Sequence, residues 1–148
     1  MLKKIIIEPD SILRQKCEPL EKVDSNTRKL MDDMLETMYA APGIGLAAIQ
    51  VGILKRLVVI DISKEEDKRQ PIFLINPEII YQSKETSVYE EGCLSLPGQF
   101  AEVERPAECS VKYIDYYGVK TGKNVSLFTN NDSAYETAAS LVKSGVDV

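Results

Sequence analysis

Between Leu57 and Phe128, short β-prone segments succeed one another with no helical repeat between them. This succession constrains the fold more than any other feature of the chain. Parallel neighbours need a crossover of a dozen or more residues, usually a helix, whereas strands joined directly pair antiparallel. The segments are Leu57 to Ile62, Ile72 to Ile75, Glu78 to Gln82, Thr86 to Tyr89, Cys109 to Tyr116 and Val125 to Phe128. In Cys109 to Tyr116, Val111, Tyr113 (or Ile114) and Tyr116 alternate with Ser110, Lys112 and Asp115, and Tyr117-Gly118 suits a hairpin turn into the last strand.

One long helix precedes this run. From Ser25 to Ala41, Leu30, Met34 and Met38 recur every four residues with Met31 and Leu35 beside them, a broad apolar stripe that reads as core. Asp24 or Ser25 can cap its start, and Pro42-Gly43 ends it. Upstream, Leu2 to Ile7 is β-rich, and Ser11 to Cys17 suits a short helix stopped by Pro19. Lys64 to Arg69 reads as a solvated charged turn. Beyond the strands, Asn130-Asn131-Asp132 is a break, and Ser133-x-x-Glu136 is a capping-box pattern. Ala134, Ala138, Leu141 and Val142 then carry helical spacing to Gly145. The expected architecture is α+β: mostly antiparallel short strands around a long N-terminal helix, with a C-terminal helix. At 148 residues, with no repeat and no linker, a single domain over 1–148 is expected.

Composition excludes several classes of function. Eighteen Lys and Arg against 23 Asp and Glu leave a net charge of −5, which disfavours a nucleic-acid binder. No apolar run is long enough for a membrane span, and the N-terminal one stops at Glu8, short of a signal peptide. A cytoplasmic address is expected. The chain contains no histidine, which excludes a Ser-His-Asp hydrolase and an intact H-E-x-x-H metal site. Its three cysteines, Cys17, Cys93 and Cys109, form no C-x-x-C pair, so neither a disulfide framework nor a four-cysteine zinc site is expected.

Two segments stand apart from ordinary core. Gly43-Ile44-Gly45-Leu46-Ala47-Ala48-Ile49-Gln50 sets two glycines and small residues before a single amide. Glycines allow close backbone approach, and Gln50 offers both donors and an acceptor. The segment reads as a ligand loop or as a tight helix-to-strand connection with Gln50 capping it. Glu90-Glu91-Gly92-Cys93-Leu94-Ser95-Leu96-Pro97 places a cysteine after a glycine in a turn bounded by proline. Cys93 reads as an exposed metal-ligating thiolate or, taken alone, as a small buried hydrophobe.

Together these segments resemble the peptide deformylase family, whose G-x-G-x-A-A-x-Q is matched from Gly43 to Gln50 and whose E-G-C-x-S is matched from Glu91 to Ser95. Pro9-Asp10 ahead of Leu13-Arg14, and Leu74-Ile75-Asn76-Pro77, are similar to the family as well, and the resemblance runs from about Ile5 to about Gly118. It implies an α+β metallohydrolase that removes the formyl group from the N-terminal methionine of nascent bacterial-type chains. Its partners would be N-formylmethionyl peptides, with no nucleic acid or membrane. The family's metal, Fe(II) or Zn(II), sits on one cysteine, at the position of Cys93, and on the two histidines of an H-E-x-x-H helix. Gln50 would hold the formyl oxygen, helped by the backbone N–H of Leu94, as donors aimed at growing charge. Gly45 would align the substrate backbone, Ile44 would line the methionine pocket, and Glu91 would join them in binding substrate.

The third family motif is missing. Tyr135-Glu136-Thr137-Ala138-Ala139 lies 42 residues after Cys93 (135 − 93), about where H-E-x-x-H belongs. That register puts Tyr135 and Ala139 at the histidine positions and Glu136 at the general base; the other reading makes Glu136 the third-residue carboxylate of a capping box. Catalytic metal sites of this type need three protein ligands and a water. Three readings follow: an impaired deformylase, a binding module that keeps the peptide cleft without the chemistry, or a frameshifted or truncated product whose tail after about Gly118 departs from the family.

Overall fold

Asp24 opens the principal helix: its carboxylate accepts the Thr27 N–H at 2.9 Å, satisfying one of the orphan donors of the first turn. In the computed structural model, which describes residues 1–63, 65–114 and 116 and the backbone of 126–129, this helix is α1, Ser25–Ala40. Met31, Met34 and Met38 are fully buried along one stripe, with Leu30 and Leu35 packed beside them. Truncating one such methionine to alanine costs about 2–5 kcal/mol. Gly43 closes the end, its N–H bonding the Met38 carbonyl at 3.0 Å.

The stripe rests on an antiparallel sheet. Five strands lie in the order β1-β2-β3-β6-β7: β1 Gly45–Ala47, β2 Leu57–Ile60, β3 Ile72–Gln82, β6 Glu108–Ile114 and β7 Ser126–Thr129. In β2 the period of two is direct, with Leu57 and Val59 buried and Val58 and Ile60 less so. Leu46 of β1, Ala48, and Ile75 of β3 complete the cluster under α1. A second sheet is a hairpin of β4, Thr86–Cys93, and β5, Leu96–Pro106, paired over its whole length.

Asn76-Pro77 breaks β3 without ending it. Asn76 takes a left-handed φ of 51°, which asparagine tolerates better than most residues. Its side-chain amide binds the Leu20 backbone at both ends, accepting from the N–H and donating to the carbonyl, each at 2.8 Å. The ladder to β6 shifts register between Ile75 and Glu78.

The antiparallel strand order and the long helix agree with the expectation from sequence, and Ser126–Thr129 is the returning strand beside β6. Several elements differ. Residues 2–7 form no ladder despite their composition; they run as an extended segment with isolated hydrogen bonds. The helix expected from Ser11 to Cys17 is one short 3-10 turn, Ser11–Arg14, and another, Glu66–Lys68, sits in the charged loop. The two segments expected at Ile72 to Ile75 and Glu78 to Gln82 are one irregular strand, and β1 and β5 were not foreseen. Ser110, placed on the polar side by alternation, is buried. The Tyr117-Gly118 turn, the 130–132 break and the C-terminal helix lie outside the described residues. Among the described residues no helix is long and apolar enough to cross a membrane.

Candidate active site

The polypeptide backbone sets the orientation of Gln50. Directly after β1 the chain turns through a 3-10 segment, Ala48–Val51, anchored by the fully buried Ala48. The Ala47 N–H can only donate, and it lies 2.9 Å from Gln50 Oε1. The carbonyl end of the side chain is therefore held inward and Nε2 faces out. There Nε2 donates to Ser95 Oγ at 3.1 Å and meets Cys93 Sγ at 3.8 Å. Ser95 is buried, whereas Cys93 is exposed. Read alone as a small hydrophobe, Cys93 was expected in the core; the tight turn that joins β4 to β5, pairing Cys93 with Leu96, lifts it out instead.

Two glycines make this convergence possible. A Cβ on Gly43 would lie 2.6 Å from Leu94 Cδ1, and one on Gly92 would lie 2.7 Å from the Phe100 ring. Gly43 thus lets the Gly43-to-Gln50 segment close directly onto the Cys93 turn, and Gly92 lets Phe100 fold over β4.

The result is a cleft of about 870 Å³ between β1 and the hairpin, within the range of small-ligand sites. Gln50 and Cys93 form its polar point, and Ile44, Leu96, Tyr89 and Phe100 its apolar rim. Ile44, Tyr89 and Phe100 are each more than 60% exposed, so large apolar groups stand in solvent around a half-buried amide contact. Gly45 lies on the cleft wall in β1, opposite Ile60 of β2. The Leu94 side chain packs against the core cluster beneath α1.

Glu91 also faces the cleft, but Arg105 across the hairpin holds its carboxylate through two hydrogen bonds of 2.5 and 2.7 Å. Those bonds keep the Glu91 carboxyl below the usual carboxylate range and raise Arg105 in return. Of the residues expected at the site, Ile44, Gly45, Gln50, Glu91, Cys93 and Leu94 line this one cleft, and Glu136 lies outside the described residues. Ser95, Arg105 and Phe100 were not assigned from sequence. Ser95 closes the E-G-C-x-S pattern, whereas the other two belong to the unforeseen β5.

The family profile described as polypeptide deformylase matches residues 2–129. The chain belongs to that family. Among relatives, a peptide deformylase of Pelagibacter ubique is 59% identical over 119 residues, spanning 80% of this chain and 69% of that protein. One from Rhizobium meliloti is 57% identical over 117 residues, spanning 79% and 67%. Among solved structures, the Ehrlichia chaffeensis peptide deformylase superposes with a TM-score of 0.77 at 40% identity, covering 87% of this chain and 74% of that one. A probable peptide deformylase of a Synechococcus phage gives 0.77 at 35%, covering 95% and 92%.

Deformylases are in general metal-dependent, and the donors among the described residues do not fit such a centre. There is no histidine in the sequence, and among the described residues no three of Cys, Asp and Glu gather to hold an ion. Cys93 offers one sulfur, and its neighbour Gln50 presents an N–H, which has no lone pair for a metal.

Proposed function

We propose that this member of the deformylase family binds N-formylmethionyl peptides, as nascent chains present them, and does not hydrolyse them unaided. The supporting observation is the Gln50 amide, fixed with Nε2 toward Cys93 at the polar point of an apolar cleft, in a chain without imidazole. A formyl oxygen is a carbonyl acceptor and suits that outward donor. The methionine side chain is flexible and apolar, and it suits the rim around Ile44. In this reading Gln50 and the Leu94 N–H hold the formyl oxygen, Gly45 aligns the peptide backbone and Ile44 packs against methionine. Glu91 shapes the wall from its bridge to Arg105. Cys93 stands beside the bound formyl group rather than serving as one ligand of an Fe(II) or Zn(II) centre.

The missing step is activation of water. With no metal to lower it, the pKa of water stays near 15.7, and oxyanion donors alone supply no nucleophile. Glu136, outside the described residues, would have no metal-bound water to deprotonate.

Titration calorimetry with a short formyl-methionyl peptide tests the reading. Saturable binding is expected, and Gln50→Leu should weaken it about tenfold, the loss of one hydrogen bond worth ~1.4 kcal/mol. Equal affinity in the two proteins would remove Gln50 from recognition and with it this reading.

A further inference from the structure

The two halves of the cleft belong to different sheets. Gln50 follows β1 of the five-stranded sheet, whereas Cys93 and Ser95 sit at the tip of the separate β4–β5 hairpin. Among the described residues, that tip has one backbone hydrogen bond to the chain outside its own hairpin: the Glu8 N–H donates to the Ser95 carbonyl at 3.0 Å. Two residues earlier, the Ile6 N–H donates to the Gln50 carbonyl at 2.8 Å. One segment thus reaches both halves at once, through donors two residues apart, Ile6 and Glu8, the second at the start of the turn that the Asp10 N–H closes on the Ile7 carbonyl.

The segment is pinned on either side. Upstream, the Lys3 N–H donates to Thr37 Oγ1 of α1 at 2.9 Å. Downstream, Asp10 caps the Ser11–Arg14 turn by accepting the Ile12 N–H at 3.0 Å, whereas the Arg14–Glu8 pair at 2.8 Å is exposed and adds little.

We propose that the backbone of residues 6–8 is a positioning strap that sets the Gln50 turn against the Cys93–Ser95 tip, so that formyl recognition is held in register from the N-terminal segment. Ile6 and Glu8 act through Gln50 and Ser95 and need not touch the formyl group. The inference rests on the peptide-binding reading above.

The test separates the two claims by comparing a formyl-methionyl peptide with the same peptide bearing a free amine. Ile6→Pro and Glu8→Pro each delete one strap donor. Glu8→Ala keeps the donor and loses only the exposed pair with Arg14. In the proline variants the preference for the formylated peptide should fall roughly fivefold, the range expected for one misplaced hydrogen bond. Glu8→Ala should keep it. The Gln50 side-chain amide resonances in 1H–15N spectra should move in the proline variants alone.

Where a proline variant fails to fold, the full chain can be assembled from a synthetic 1–16 thioester and a fragment beginning at Cys17. An ester in place of the amide at residue 6 or 8 then removes the N–H and leaves the side chain, and the same loss is expected. Unchanged preference and unchanged Gln50 resonances in folded strap variants would overturn the strap while leaving the peptide-binding reading intact. A parent chain with no formyl preference would overturn that reading, and the strap with it.

Discussion

Gly43 meets Leu94 at a separation that leaves no room for a methyl group. Gly43→Ala should therefore push Leu94 outward, with a stability loss of about 1–3 kcal/mol from overpacking. Because Leu94 adjoins Cys93, formyl-peptide affinity should drop beyond what that stability loss explains. Denaturant melts and peptide titration of the same variant would show it, and an unchanged affinity would separate Gly43 from the cleft. At this scale much was legible. Gln50, Cys93 and the glycines stand in two short patterns whose residue types have plain physical uses. What the sequence could not convey was that Ser95 accepts from Gln50 and Arg105 occupies Glu91. Both are contacts across space, and the Arg105 contact runs along a strand whose existence was not evident.

Among the elements, α1 and β2 carried strong signals because each buries one face: methionines at helical spacing in one, alternation in the other. β5 carried none. Nearly all of its residues are exposed, so no period of two is imposed on Leu96–Pro106, and Pro97 and Gly98 disguise it further. Three-residue β1 is too short for any pattern. The end of α1 is tied to the residue after β2 by the Tyr39 hydroxyl, which donates to Asp61 at 2.5 Å. Burial first, and then that bond, push the Tyr39 hydroxyl up to about 12 from an ordinary 10.0, while Arg69 above the ring opposes the shift. A folded-state pKa above the unfolded one means that the stabilisation is complete below pH 10 and is lost as pH rises toward 12. Thermal melts of the parent and Tyr39→Phe should differ most at neutral pH and converge over that interval. A gap that stays constant to pH 12 would contradict the assignment.

For the molecule as a whole, α+β class and antiparallel order followed from the succession of strands, and the family from two motifs that fold into one cleft. The acidic balance and the apolar rim suit a peptide end better than a polyanion. The global property that bears most on the proposed function is one of composition: these 148 residues include no histidine. The proposed function therefore separates binding from turnover. The most direct check is formate release from a formyl-methionyl peptide by the purified chain, supplied anaerobically with Fe(II) and in parallel with Zn(II), at peptide concentrations that saturate the cleft. Bound, intact peptide is expected, with formate no higher than in a peptide-only control. Release of many equivalents of formate per chain, abolished by Cys93→Ala, would contradict it and make this cleft a working deformylase.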